Sequence, residues 1–142
     1  MKNVITLFLL MFFISATVVA QTQETGIKFK EETHNFGKIP QSIPVKTVFT
    51  FTNFSKDPIV LTNVKASCGC TTPDWTKTPV MPGQKGTITA EYNAVSMGAF
   101  RKNMTVHYKV GDGEDHKIDL FIEGEVIPKG DMEGAPSKSI IK

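Results

Sequence analysis

Cys68-Gly69-Cys70 is the run with the most chemical capacity, and it holds the only two cysteines of the chain. On an extended backbone, residues i and i+2 point to the same face, so the two sulfurs fall side by side. Gly69 has no Cβ and can reach backbone angles closed to other residues, which permits a turn that brings the sulfurs together. The ring so formed is tight, because disulfides prefer Cα separations of about 5.5–6 Å. A strained bridge is more easily reduced, and closing so small a loop stabilises the fold little. Three chemistries are open to the pair. Both sulfurs can be partly buried packing groups or a static local bridge, since cysteine is among the most buried residue types. They can carry out thiol–disulfide exchange, which needs an exposed thiol of lowered pKa. No Lys, Arg or His lies within two residues of the pair, and Lys65 is three residues before Cys68. They can also hold a soft metal such as Cu(I) or zinc. Zinc normally takes four ligands, and His34, His107 and His116 are distant in sequence.

The remaining candidates carry weaker signals. Asp112, Glu114, Asp115 and Asp119 offer oxygen ligands, but without the spacing of a calcium loop. They read as a solvated hairpin tip. No serine sits in a G-x-S-x-G nucleophile elbow. Asn53-Phe54-Ser55 and Asn103-Met104-Thr105 match the glycosylation acceptor, a pattern that arises easily by chance. Trp75, the only tryptophan, is expected to cover one end of the core, with a partner contact as the alternative. No catalytic constellation, metal set or cofactor motif is present, so no cofactor is expected.

The elements that position these residues read as strands. Apolar residues recur with period two, the signature of a strand with one buried face. Ile27 and Phe29 open the series, and Phe36 to Pro40 is a strand end running into a turn. In Val45–Asn53, Val45, Phe49 and Phe51 share one side, and Lys46, Thr50 and Thr52 the other. In the segment 59–66, Ile59 and Leu61 oppose Val60, Thr62 and Val64. Pro73, Pro79, Pro82, Gly83 and Gly86 then punctuate residues 71–86 and are expected to stop any helix or central strand. Alternation resumes with Ile88, Ala90 and Tyr92 inward, then Phe100, Met104, Val106, Tyr108 and Val110. After a turn-rich loop at 111–115 it ends with Ile118, Leu120, Ile122 and Val126. About seven strands at this spacing, with no convincing helix, predict an all-β antiparallel sandwich, with a barrel as the structural alternative.

Residues 1–20 have the form of an export signal: Lys2, an apolar run from Val4 to Ile14 apart from Thr6, and a small-residue exit at Val18-Val19-Ala20. The apolar run is short for a membrane span, and nothing later is long and apolar enough. The expected organisation is a cleaved signal at 1–20, a flexible leader at 21–26, one sandwich at 27–127 and a flexible tail at 128–142. The product is then exported to the periplasm or the cell surface, where disulfides persist. With 16 Lys+Arg against 14 Asp+Glu and a net charge of +2, there is no basis for nucleic-acid binding.

Several pieces occur together and in order: Phe36-Gly37-Lys38-Ile39, the strand 45–53 leading into Asn53-Phe54-Ser55, Ser67-Cys68-Gly69-Cys70-Thr71, Pro73-Asp74-Trp75 and Pro82-Gly83. Over about residues 27–127 this resembles the domain-of-unknown-function 1573 family (DUF1573), common in exported proteins of Bacteroidetes and related bacteria. The resemblance implies an immunoglobulin-like sandwich, similar to the Hydin and major-sperm-protein domains, and an exported location. It implies no established activity. The expected role is therefore a non-enzymatic module for protein binding, adhesion or assembly, with an unknown protein partner. The alternative is a thiol–disulfide or Cu(I)-binding protein that uses Cys68 and Cys70.

Overall fold

The computed structural model describes residues 26–132. The expected signal at 1–20, nearly all of the leader and most of the tail lie outside the described residues. Eight strands run in order: β1 Ile27–Phe29, β2 Thr33–Pro40, β3 Val45–Asn53, β4 Ile59–Ala66, β5 Thr71–Trp75, β6 Lys85–Tyr92, β7 Gly98–Val110 and β8 Asp115–Ile127. A short 3-10 turn, Lys129–Met132, follows. The strands form two four-stranded sheets, β1-β3-β6-β5 and β2-β8-β7-β4. No helix of the described residues is long and apolar enough to cross a membrane.

The core lies between the sheets, where alternation sends every second side chain inward. Phe49 and Phe51 of β3, Ile88 and Ala90 of β6, Met104 and Val106 of β7, and Leu120 and Ile122 of β8 are all fully buried. Burying each of the large apolar side chains contributes about 1.5–3 kcal/mol relative to exposure. Gly86 sits where a Cβ would collide with the Phe51 ring, so its missing side chain is what lets β3 and β6 close over that phenyl group.

Three expectations need correction. The sandwich is not wholly antiparallel, because β2 pairs with β8 in parallel, with an irregularity between Asn35 and Lys38. Residues 71–75 form an eighth strand despite Pro73. β5 has β6 on one side only, and an edge strand tolerates proline where the missing N–H points away from its neighbour. In β4, Val64 joins Ile59 and Leu61 in the core instead of opposing them. A register shift between Leu61 and Asn63 inserts one residue and turns the second half of the strand over.

Candidate functional sites: a sulfur bridge and an open sheet edge

Cys68 and Cys70 are joined by a disulfide, with their Cα atoms 5.3 Å apart. The bridge occupies the corner where the chain leaves β4 in one sheet and enters β5 in the other. Main-chain bonds hold this corner from both sides. Ser67 N–H donates to the Asn103 carbonyl at 2.9 Å, and Asn93 N–H donates to the Cys70 carbonyl at 3.0 Å. Thr71 N–H donates to the Cys68 carbonyl at 3.4 Å, closing the turn around Gly69. Both cysteines are half-buried, and Cys70 packs against the core. Among the described residues, the only hydrogen-bonding group beside either sulfur is the Thr71 hydroxyl, 3.9 Å from Cys68 Sγ.

Gly69 departs from expectation. It is not among the residues with positive φ, and a Cβ built on it would meet nothing within 4 Å. The turn therefore does not need glycine's special backbone angles.

The histidines do not converge on the sulfurs. His34 Nδ1 lies 3.0 Å from Glu31 Oε1, with its ring edge-on to Phe36. His116 stacks on Tyr108. His107 Nδ1 lies 3.0 Å from Asp115 Oδ2, and the Thr62 hydroxyl donates to Asp115 Oδ1 at 3.1 Å. The hydrogen bond with His107 is the main cause holding the Asp115 carboxyl below its usual range. Asp119 accepts from the Thr105 hydroxyl at 2.6 Å. No group of three or more His, Cys, Asp or Glu among the described residues is arranged to hold a metal ion. Trp75 is half-buried against the core, with the Lys77 ammonium 2.9 Å above its ring.

The match of Asn53-Phe54-Ser55 to the glycosylation acceptor, a pattern that arises easily by chance, has no glycan-accepting nitrogen behind it. The Asn53 side chain is fully buried at the end of β3. Its amide nitrogen donates to the carbonyls of Asp57 at 2.9 Å and Val80 at 2.8 Å. Its amide oxygen accepts from the Ser55 N–H at 2.8 Å and from the Ser55 hydroxyl at 2.6 Å. A nitrogen committed in this way and out of solvent cannot carry a glycan. It is the lock of the β3–β4 corner.

One feature had no signal in the sequence. β3 has β6 along one side, from Val45 to Thr52, but β1 covers only Phe51 to Asn53 on the other. The direction of the main-chain groups follows from the bonds observed. Lys30 N–H donates to Thr50 O, and Phe54 N–H donates to Gly26 O, so even-numbered positions face β1. Asn53 N–H donates to Gln84 O, so odd-numbered positions face β6. By the alternation of an antiparallel ladder, the N–H and C=O of Lys46 and Val48 point to an edge where no strand of the described residues lies. Val48 is 52% exposed. Lys46 is turned away from that edge, with its ammonium 2.8 Å from Glu91 on β6. The turn before β3 and the loop between β6 and β7 touch, and they carry exposed Ile43 and exposed Val95 and Met97 respectively. They are joined by Ser42 N–H to Ala94 O at 2.9 Å and by Gln41 Nε2–H to Val95 O at 3.0 Å. An absent neighbour leaves no pairing signal in the sequence.

Comparison with known proteins places the fold. Residues 27–126 match the family model described as "Protein of unknown function (DUF1573)". No curated protein matches the chain. Among solved structures it is similar to the VesB protease of Vibrio cholerae, at 15% identity and a TM-score of 0.62, covering 72% of this chain and 32% of that one. It is similar to PapD-like domain 7 of human CEP192, at 7% identity and a TM-score of 0.61, covering 73% and 87%. It is also similar to the YadV chaperone, at 10% identity and a TM-score of 0.53, covering 71% and 52%. The chain spans about a third of VesB and half of YadV, and at these identities the likeness is one of fold.

Proposed function

We propose that this chain, which belongs to the DUF1573 family, is an exported, non-enzymatic immunoglobulin-like module that binds or helps assemble other proteins in the periplasm or at the cell surface. The observation that carries the reading is the open half of the β3 edge, where the main-chain groups of Lys46 and Val48 have no strand partner among the described residues. A sheet edge of this kind accepts an extended segment of another polypeptide through main-chain hydrogen bonds. The exposed Ile43, Val95 and Met97 beside it supply apolar contact. The similarity of fold to a PapD-like domain and to a chaperone supports the same reading. The test is a photo-crosslinking side chain placed at Val48, at Val95 and, as a control, at Thr105 on the other sheet, in the exported protein. Crosslinks to polypeptide from Val48 and Val95 but not from Thr105 are expected. Equal yields at all three positions, or none, contradict the reading.

A second reading is favoured by the bridge itself, which is formed and half-exposed. In thiol–disulfide exchange, a partner thiolate attacks one sulfur and the other leaves as a thiolate. The partner's second thiolate then resolves the mixed disulfide, so that two electrons pass from partner to bridge. Binding of Cu(I) belongs to the reduced form alone, since thiolates are the ligands. Intact mass with and without reductant, combined with thiol labelling of the folded protein, tests this reading. Sulfurs that stay inert to mild reductant and to labelling contradict it.

A further inference from the structure

Beside the open edge lies a groove of about 290 Å³ whose charge is of one sign. Lys28 of β1, Lys30 just after it and Lys85 of β6 line it, together with Thr50, Thr52 and Phe54. Lys28 and Lys85 flank Thr52 from either side in one row across the sheet. Among the described residues none of these three lysines forms an ion pair, whereas Lys46 is matched by Glu91. The nearest acidic neighbour in sequence, Glu31, has its carboxylate on His34. Phe54 is 65% exposed at the end of the groove.

We infer that the open β3 edge and this groove form one docking site for an extended acidic segment of a partner protein. The inference rests on the reading of the chain as a binding module and specifies the chemistry of its partner. An incoming strand running antiparallel to β3 would continue the line of β1, pairing with the N–H and C=O of Val48 and then Lys46. Its N-terminal flank would lie against Lys30, and residues further upstream would cross the outer face towards Lys28 and Lys85. Carboxylates at those upstream positions gain the three unmatched ammonium groups. The phenyl ring of Phe54 offers apolar contact at the far end. Charge supplies selectivity and steering, and the main-chain ladder supplies the requirement for an extended polypeptide. The ladder is what favours a protein segment over an acidic polysaccharide, which would use the lysines and leave Lys46 and Val48 unpaired.

The test uses the full exported chain and the peptide acetyl-Glu-Asp-Glu-Thr-Val-Thr-Val-Thr-amide. One control has lysine at the three acidic positions. A second is methylated on alternate backbone nitrogens so that it cannot pair. Fluorescence anisotropy is expected to show the acidic peptide binding at least about tenfold more tightly than either control. The Lys28→Glu, Lys85→Glu double variant, with both changes on exposed side chains, is expected to reverse the preference for charge. On binding, the amides of Lys46 and Val48 are expected to gain protection from hydrogen exchange. Absence of binding, or equal binding of all three peptides, overturns the inference. So does binding displaced by a heparin fragment without protection of Lys46 and Val48, which marks a plain anion patch. Concentration-dependent protection of those amides without peptide overturns it as well, because the edge is then taken by a second copy. If crosslinks from Val48 to another protein persist while the acidic peptide fails, the acidic chemistry is wrong and the binding module stands.

Discussion

The two edges of the first sheet are finished in opposite ways. At the β5 edge, the bonds of Thr76 N–H to Thr87 O and Asn93 N–H to Cys70 O show that even-numbered β5 positions face β6. Thr71, Pro73 and Trp75 therefore turn their main-chain groups outward. Each of the three is disarmed as a donor. Thr71 N–H is held by the Cys68 carbonyl, Pro73 has no N–H, and Trp75 N–H donates to the Asp74 carboxylate at 2.9 Å. At the β3 edge, no strand of the described residues pairs with the main-chain groups of Lys46 and Val48, and the Lys46 ammonium reaches away from that edge to Glu91 on β6. Natural sheets blunt exposed edges with proline, charge and short strands. Among the described residues, one edge is blocked at every outward donor and the other is open over Lys46 and Val48, and this contrast is what the proposed binding role rests on.

Each closed stretch has its own lock, and removing the locks is the way to break the comparison. Asn53 secures the end of β3 that β1 covers, and the sulfur bridge secures the start of β5. Asn53→Leu has the largest expected effect. It removes the two bonds from its amide to the carbonyls of Asp57 and Val80, which keep only the Ser55 hydroxyl and the Ile59 N–H, and it leaves the Ser55 N–H without its partner in a buried corner. A loss of about 2–4 kcal/mol is expected, measurable by urea denaturation. Replacing Cys68 and Cys70 together by serine is expected to cost at most about 1.5 kcal/mol, since the loop is minimal. Faster hydrogen exchange should then appear at Thr71 and not at Ile88. Pro73→Thr is expected to change stability by less than about 0.5 kcal/mol. It restores an outward N–H, however, so self-association should rise in analytical ultracentrifugation if the proline is a guard. The smallest effect is expected from a control remote from both edges, Asp115→Asn on the second sheet. The folded carboxyl is held below its unfolded value, chiefly by the hydrogen bond with His107. Its stabilisation is thus present above the ordinary carboxylate range and lost as pH falls through the folded value. The native protein and the variant should differ slightly in melting temperature at neutral pH and converge in acid.

Much of the sandwich was legible because alternation is a local property. Phe49, Phe51, Ile88, Tyr92, Met104, Val106, Leu120 and Ile122 all face the core, as their period-two spacing predicts. The side taken by Val64 was not legible, because the bulge beside Leu61 shifts the alternation without any glycine or proline to announce it. The parallel pairing of β2 with β8 joins Thr33 to Phe121, positions far apart in sequence that share no local signal. Pro73 announced a break, yet its missing N–H falls at an outward position where no ladder bond is lost. At the candidate sites, the sulfur pair was legible from two cysteines one residue apart. The open edge was not, because it is a property of what lies beside β3 and not of β3 itself. The structural part played by Asn53 was not legible for a related reason: its burial and its bonds come from Asp57 and Val80 closing over it.

The open edge is tested most directly by residue-resolved hydrogen exchange of the free exported protein. Amides of Thr47 and Phe49, bonded to β6, are expected to be strongly protected, with those of Lys46 and Val48, which alternate with them, exchanging nearly as fast as unfolded chain. Equal protection along 46–49 would mean that the edge is already covered, and would contradict the account.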